Sequence, residues 1–301
     1  LHRRVFVVWR RRPPRSTTGS SSAASEGYKR QPLEHRHANE KSVYDDMADQ
    51  VLAEWTDEEM LVDPDELPEC HQFEGPMQTL IDWAGPLEGK TVLETGSGFG
   101  TLSCWLAMNG ARVIATDISP KCLEVVEERA RRNGVADRIT TINTPVETLE
   151  GVDDESVDLV FGRTVAHHFE LPPSAASMYR VLKPGGRAVF AEPVMLLPDW
   201  VFRLRRSRAV TSVFPPFVHT PDERSFDHEM IDDLSAPFDK VTIAHFGLMT
   251  RVSSFVRVPD RLFAAISRVD QKILERVDAA QTVSRYMVIR LDKSPTSAAD
   301  V

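Results

Sequence analysis

Short apolar runs typical of strands alternate with amphipathic stretches typical of helices along residues 90–193 of the chain. The runs are rich in β-branched residues and lie at 91–93, 111–116, 138–143, 156–161 and 187–191, and two more follow at 240–248 and 285–291. Between the first five runs, apolar residues recur every three or four positions, which is typical of amphipathic helices. Strands that alternate with helices build a parallel sheet, so the pattern predicts an α/β fold.

The first apolar run ends in a loop with glycine at every second position. Glu94 follows the run, and the glycines are Gly96, Gly98 and Gly100. Glycine adopts positive φ angles and lets a ligand approach the backbone closely. The helix that follows offers free N–H groups and a positive dipole end to an anionic group. The loop therefore predicts a site for a nucleotide-like cofactor.

The spacing of the glycines bears on which cofactor binds. A dinucleotide fingerprint reads Gly-x-Gly-x-x-Gly, whereas Thr101 stands here at the third glycine position. The second run ends at Asp117, about 20 residues after the glycines, where a carboxylate can accept both ribose hydroxyls. A strand–helix turn that needs glycine only for steric reasons is the alternative, and the spaced acid argues against it.

The glycine loop, Asp117 and the turn RVLKPGG at residues 180–186 resemble class I S-adenosylmethionine-dependent methyltransferases, of the small-molecule, type 11-like group. The resemblance covers residues 92–193, about a third of the chain. It implies a Rossmann-like, doubly wound, mainly parallel seven-stranded sheet with an antiparallel last strand and helical lid insertions. It also implies S-adenosylmethionine as the cofactor.

The resemblance also places the cofactor-binding residues. They are expected to be Tyr44, Glu94, Gly96, Ser97, Gly98, Asp117, Ile118, Val146 and Arg163. Pro145 stands where relatives usually have an acid near the adenine, so Val146 is expected to contribute a backbone N–H and an apolar wall. Tyr44 lies in a predicted helix over residues 35–55, whose apolar face is expected to hold Val43, Tyr44, Met47, Val51, Leu52 and Trp55. Tyr44 fits ordinary core packing equally well.

Candidate catalytic residues follow the fourth and fifth predicted strands. His167 and His168 come after the fourth, and Glu192 ends the fifth. Histidine suits removal of a hydroxyl proton because its ordinary pKa of about 6.5 lies near working pH. In extended chain, neighbouring side chains point to opposite sides, so one histidine is expected to face the pocket. By resemblance to some relatives, His167 is the predicted base and Glu192 its partner. A purely structural role for all three has equal weight, and no metal site is indicated.

Composition excludes some partners. The net charge is −9, and residues 1–30 carry +7, so the remainder carries −16. An acidic body argues against nucleic acid as a partner. No apolar run is long enough to cross a bilayer. Three cysteines, at 70, 104 and 122, lack metal spacing and indicate a reducing compartment.

The chain divides into a domain and two tails. Residues 1–34 are expected to be a disordered or targeting-like basic tail that makes no contact with the fold. The domain covers 35–293, with its core at 90–193 and lid insertions at 194–221 and 249–280, and 294–301 form a disordered tail. The basic run 203–208 is a solvated helix face, an anion site or a contact with a membrane surface.

These expectations combine into one function with two alternatives. The chain is predicted to methylate a small-molecule acceptor at an oxygen, using a histidine base, in the cytoplasm. An organelle is the alternative location if the basic tail is a transit peptide. A catalytically silent, S-adenosylmethionine-binding scaffold and, with less support, a nicotinamide-dependent oxidoreductase are the alternative functions. The sequence does not indicate an oligomeric state.

Overall fold

The described part of the chain is built around one mixed β-sheet with helices on both faces. The computed structural model describes residues 7–9, 32–66, 74–194, 226–250 and 260–295. The strands within these ranges are β1 Val7–Trp9, β2 Thr91–Thr95, β3 Arg112–Asp117, β4 Ile139–Asn143, β5 Val157–Arg163, β6 Leu182–Pro193, β7 Lys240–Phe246 and β8 Tyr286–Asp292.

The strand order of the sheet is β1-β7-β8-β6-β5-β2-β3-β4. Strands β2 to β6 pair in parallel, whereas β8 runs antiparallel between β6 and β7. The predicted doubly wound, mainly parallel seven-stranded sheet with an antiparallel last strand is therefore confirmed as β2 to β8. The carboxyl ends of β2, β3, β5 and β6 meet at one edge, which is where open α/β sheets bind ligands.

Strand β1 corrects one prediction about the N-terminal tail. Val7, Val8 and Trp9 pair antiparallel with Ile243, Thr242 and Val241 of β7. The expectation that residues 1–34 make no contact with the fold is wrong for these three residues. An open sheet edge presents unpaired N–H and C=O groups, and a Val-Val-Trp segment has high strand propensity.

Helices cover both faces of the sheet. The α-helices are α1 Leu33–Glu54, α2 Asp57–Met60, α3 Glu74–Ala84, α4 Thr101–Met108, α5 Pro120–Arg132, α6 Leu171–Val181, α7 His228–Ser235, α8 Asp260–Leu274 and α9 Asp278–Gln281. Short 3₁₀ helices lie at Ala136–Arg138 and Ala166–His168. The Ser119 side chain caps α5 by accepting a hydrogen bond from the Cys122 N–H at 3.0 Å, and serine is one of the residue types favoured at this position.

Alternate residues of each central strand enter two different hydrophobic cores. In β2, Val92 packs with one cluster and Leu93 with the other. Their neighbours in β5, Leu159 and Val160, divide in the same way, and all four residues are buried. Burial on both faces explains why apolar residues follow one another directly in these parallel strands. The two cores fix the strands, and thereby the loops at the carboxyl edge.

Strand β6 begins earlier than the sequence predicts. A strand over 187–191 preceded by a Pro-Gly turn is expected, but β6 runs from Leu182 to Pro193. Leu182 pairs with Val157, and the register shifts before Leu159 pairs with Arg187. Gly185 takes a φ of +78° inside this irregular segment. Strand pairing at Leu182 therefore extends β6 through the turn residues.

The apolar face of α1 differs from the predicted one. Ala48 and Val51 are buried against α5, with Tyr44 and Trp55 partly buried beside them. Val43, Met47 and Leu52 are 45%, 43% and 38% exposed, so their assignment to the packed face is wrong. The contact with α5 follows residues 44, 48, 51 and 55, which recur every three or four positions.

Parts of the predicted lids and tails lie outside the described residues. These parts are 195–221, which includes the basic run 203–208, and 251–259, together with 296–301. Helix α8 and the short α9 occupy the described part of the second predicted lid. The lid roles stay predictions.

Candidate functional site

The glycine loop combines open space with close packing. Gly96 and Gly98 both have positive φ, at +62° and +51°. A Cβ on Gly96 would lie 2.3 Å from Val165 Cγ2, so this glycine is required by the loop that follows β5. A Cβ on Gly98 would meet no described atom within 4 Å. The backbone of Gly98 is therefore the part of the loop that a ligand can approach.

Asp117 lies beside that open position, at the end of β3. Its carboxylate accepts hydrogen bonds from the N–H groups of Gly98 and Ser119, both at 2.9 Å. Burial raises the pKa of Asp117 to about 6, although those backbone N–H groups favour the charged form. A carboxylate has about four acceptor sites, so Asp117 retains capacity for ribose hydroxyls. Its position agrees with the sequence-based assignment.

Glu94 is enclosed beneath the loop rather than open to it. The side chain is buried, and the Ser103 hydroxyl donates a hydrogen bond to it. Burial raises the pKa of Glu94 to about 8, while the Ser103 hydrogen bond and the charge of Arg163 act in the opposite direction. A carboxyl group that is protonated at neutral pH joins the end of β2 to α4 through Ser103 and adds no negative charge at this position.

Two buried polar atoms at the site have no hydrogen-bond partner among the described residues. They are Ser97 Oγ, in the glycine loop, and Arg163 Nη1, at the end of β5. Buried polar groups are normally hydrogen-bonded, so each calls for an acceptor or donor from a ligand. The carboxylate, amino and hydroxyl groups of S-adenosylmethionine supply both. Together with the open face of Gly98, these atoms fit that cofactor.

The remaining predicted cofactor residues lie around the same edge. Ile118 directly follows Asp117 and is half-buried, and Val146 is buried after β4. Tyr44 is half-buried and packs with Cys122 at the start of α5. The structure therefore brings Ile118 and Tyr44 to the Asp117 loop, and Val146 contributes to the hydrophobic core on that side.

His167 and Glu192 form a buried pair. His167 Nδ1 lies 2.8 Å from Glu192 Oε2, and the side chains are 1% and 0% exposed. The other carboxylate oxygen of Glu192 accepts hydrogen bonds from the N–H groups of Val165 and Ala166, both at 2.9 Å. Glu192 thereby fixes both the imidazole and the backbone that carries it, and the predicted pairing of these residues agrees with the geometry.

The backbone at the two histidines is helical rather than extended. Residues 166–168 form a 3₁₀ turn, and the His167 and His168 rings pack with centroids 4.1 Å apart. The expectation that they point to opposite sides is therefore wrong. Thr164, just before this turn, has a φ of +53°, which a β-branched residue rarely adopts. Such strain is common where a functional loop is held in place by its surroundings.

Sequence reasoning missed two polar residues near this edge. Glu40 on α1 lies 2.7 Å from His168 Nδ1. His245 on β7 contacts the Ser284 hydroxyl at 3.0 Å, and burial lowers the pKa of His245 to about 4. Glu40 and His168 are 128 positions apart in the chain, and His245 and Ser284 are 39 positions apart. No local sequence pattern indicates such contacts.

Two kinds of feature are absent from the described ranges. They contain no group of three or more histidine, cysteine or acidic residues that could hold a metal ion. They also contain no helix that is both long and apolar enough to span a membrane.

Known proteins resemble the chain in sequence and in fold. A family model described as a methyltransferase domain matches residues 93–190. A ubiquinone biosynthesis O-methyltransferase from Hahella chejuensis is 28% identical over 62% of this chain and 75% of its own length. An S-adenosyl-L-methionine-dependent Diels-Alderase from Talaromyces variabilis is 32% identical over 38% of this chain, a match that spans only 40% of that relative.

A solved structure supports the same fold. Geranyl diphosphate C-methyltransferase from Streptomyces coelicolor, in complex with S-adenosyl-L-homocysteine, aligns with 74% of this chain and 80% of its own. The TM-score is 0.51 and the identity is 16%, which shows the fold alone. The domain match, the fold and the geometry of the glycine loop agree: residues 93–190 form a methyltransferase domain that resembles those of class I S-adenosylmethionine-dependent methyltransferases, and S-adenosylmethionine is the cofactor that fits it.

Proposed function

We propose that the protein methylates an oxygen of a small-molecule acceptor, with His167 as the general base and Glu192 as the residue that orients it. The observation that carries the proposal is the 2.8 Å contact between Nδ1 of His167 and Oε2 of Glu192. The loop that holds His167 touches the glycine loop through Val165, next to Gly96. The pair therefore stands beside the cofactor loop.

The hydrogen bonds around Glu192 support one tautomer of His167. Oε1 of Glu192 accepts two backbone N–H groups, so the carboxylate acts as an acceptor on that side. Nδ1–H of His167 then donates to Oε2, which makes Nε2 the basic nitrogen. A carboxylate in this position also stabilises the imidazolium that forms when Nε2 takes a proton.

The residues then divide the work of a methyl transfer. S-adenosylmethionine, when bound, supplies a methyl group on a sulfonium sulfur. As the oxygen–carbon bond forms and the sulfur–carbon bond breaks, Nε2 of His167 takes the hydroxyl proton of the acceptor. Alignment of the two reactants contributes as well, and such effects reach about 7–11 kcal/mol in well-ordered sites.

Substitution of the pair tests the proposal. A panel of hydroxylated aromatic compounds with a labelled methyl donor is the starting assay, because the Hahella chejuensis relative is an O-methyltransferase of ubiquinone biosynthesis. His167→Ala should lower turnover roughly 10²- to 10⁴-fold with cofactor affinity unchanged. Glu192→Gln should lower it less. His35→Ala, at an exposed position of α1, is the control. Turnover within a few-fold of the parent in both site variants would contradict the role of the pair.

A second candidate is a protein that binds S-adenosylmethionine without transferring its methyl group. His167 is almost completely buried, and Glu192 accepts two backbone hydrogen bonds. Both observations suit a purely structural role for the pair. The Talaromyces variabilis relative is an S-adenosyl-L-methionine-dependent Diels-Alderase. Cofactor binding without label transfer to any acceptor would favour this candidate. The match of residues 93–190 to a methyltransferase domain leaves a nicotinamide-dependent oxidoreductase without support.

We place the protein in the cytoplasm as part of the same proposal. Cys104 and Cys122 are buried free thiols, which suits a reducing compartment. An organelle is the alternative if residues 1–34 act as a targeting segment. Imaging a fluorescent fusion with and without these residues separates the two locations.

A further inference from the structure

Helix α1 is joined by side chains to two loops of the carboxyl edge. Arg36 Nη2 lies 2.5 Å from Glu170 Oε2, and Glu40 Oε1 lies 2.7 Å from His168 Nδ1. Farther along the helix, Asp45 accepts a hydrogen bond from the Ser119 hydroxyl at 2.6 Å. The first two contacts reach the loop after β5, and the third reaches the loop after β3.

The strand order shows what lies beneath the helix. Strand β2 lies between β5 and β3 in the sheet. A helix fastened to the loops after β5 and β3 therefore crosses the end of β2, where the glycine loop begins. Helix α1 therefore crosses the glycine loop, and the side chains of Arg36, Glu40 and Asp45 lie at the sheet edge that holds this loop.

Glu40 is the polar residue placed at the middle of this span. The side chains of Glu40 and His168 are only 12% and 15% exposed. Burial is the main cause that raises the pKa of Asp117, three backbone hydrogen bonds act in the opposite direction, and the charge of Glu40 raises the pKa as well. Glu40 therefore acts electrostatically on Asp117, the carboxylate expected to bind the ribose, and contacts His168 directly.

A line of side-chain contacts continues from Glu40 to the base. The rings of His168 and His167 pack at 4.1 Å, with 40° between their planes. His167 is in turn held by Glu192 at 2.8 Å. A movement of Glu40 would therefore change the packing against His167.

We propose that Glu40 is a positioning residue that couples closure of helix α1 over the cofactor to the placement of the His167 ring. With the helix closed, Glu40 holds His168, and His168 packs against His167. With the helix displaced, the contact to His168 is lost, and the cofactor site is open above the glycine loop. The part that concerns the base rests on the proposed function, whereas the part that concerns cofactor binding does not.

The first test measures binding of S-adenosylhomocysteine by calorimetry. Glu40→Gln keeps the size of the side chain and removes its charge, and it should weaken binding about tenfold. His168→Gln breaks the same contact from the other side and should weaken binding similarly. Asp46→Asn makes the same charge change at an exposed position of α1 and should bind as the parent does. Thermal melts confirm that each variant is folded.

The second test separates coupling from a merely stabilising ion pair. In spectra of ¹⁵N-labelled histidine side chains, S-adenosylhomocysteine should shift the signals of both His167 and His168 in the parent protein. Glu40→Gln should remove the response of both rings, while Asp46→Asn retains it. Binding within twofold of the parent, or an unchanged imidazole response, would overturn the proposal. Neither test uses an acceptor, so loss of the His167 role in turnover assays would leave the helix coupling intact.

Discussion

Replacing Glu94 by glutamine should change how the stability of the protein depends on pH. The side chain is 3% exposed, and burial raises its pKa from an ordinary 4.5 to about 8. The hydrogen bond from Ser103 and the charge of Arg163 offset only part of this effect. Glutamine has nearly the same shape, accepts the same hydrogen bond through its amide oxygen, and does not ionise.

The sign follows from which state binds the proton. Between about pH 4.5 and pH 8, Glu94 ionises in the unfolded chain and stays protonated in the folded protein. The contribution of Glu94 to the free energy of unfolding is therefore complete below pH 4.5 and declines as the pH rises to 8. A shift of about 3.5 pKa units at about 1.4 kcal/mol per unit gives a decline of about 5 kcal/mol as an upper figure.

Urea denaturation of the ligand-free parent and of Glu94→Gln, from pH 5 to pH 9, measures this decline. The difference in unfolding free energy should move by several kcal/mol in favour of the glutamine variant as the pH rises. Glu54→Gln, at an exposed position of α1, should give a curve parallel to that of the parent. A constant difference between the parent and Glu94→Gln across this range would refute the reasoning, because it would show that Glu94 does not titrate there.

Two glycine substitutions test the site and the core. Gly98→Val should abolish binding of S-adenosylhomocysteine in calorimetry, because the new side chain fills the open face of a loop residue whose φ is +51°. Unchanged affinity in a folded variant would contradict the loop assignment. Gly162→Ala should lower the free energy of unfolding by about 1–3 kcal/mol, because its Cβ would lie 2.4 Å from the Phe190 ring and 2.9 Å from Thr95 Oγ1. Equal stability in urea denaturation would show that the ring moves aside without cost.

Local patterns account for the parts of the structure that the sequence predicts well. The glycine loop, the acid at Asp117 and the Ser119 cap each lie within a few residues of the element that they define. Central strands buried on both faces carry consecutive apolar residues, such as Val92 and Leu93 in β2. These features predict the parallel core of the sheet, with the glycine loop and Asp117 at its carboxyl edge.

Long-range pairing accounts for the parts that sequence reasoning missed. Leu182 joins β6 because it pairs with Val157, although a Pro-Gly turn follows it. Glu40 meets His168 because α1 crosses the sheet edge, and nothing near either residue indicates the contact. Val43 and Met47 are apolar and at helical spacing, yet α5 contacts the neighbouring face of α1. Such outcomes depend on which surface a partner element covers.

The short strand β1 has a consequence for how the protein behaves at high concentration. Val7–Trp9 pairs with Val241–Ile243 on the side of β7 that β8 does not occupy. In a shortened form that begins at residue 32, the backbone of β7 from Val241 to Ile243 would lose this partner and present unpaired hydrogen-bonding groups. Such groups recruit strands from other molecules, so the shortened form should self-associate more readily. Val7–Trp9 therefore protects the edge of the sheet from self-association, although an expression strategy would remove it as part of a dispensable tail.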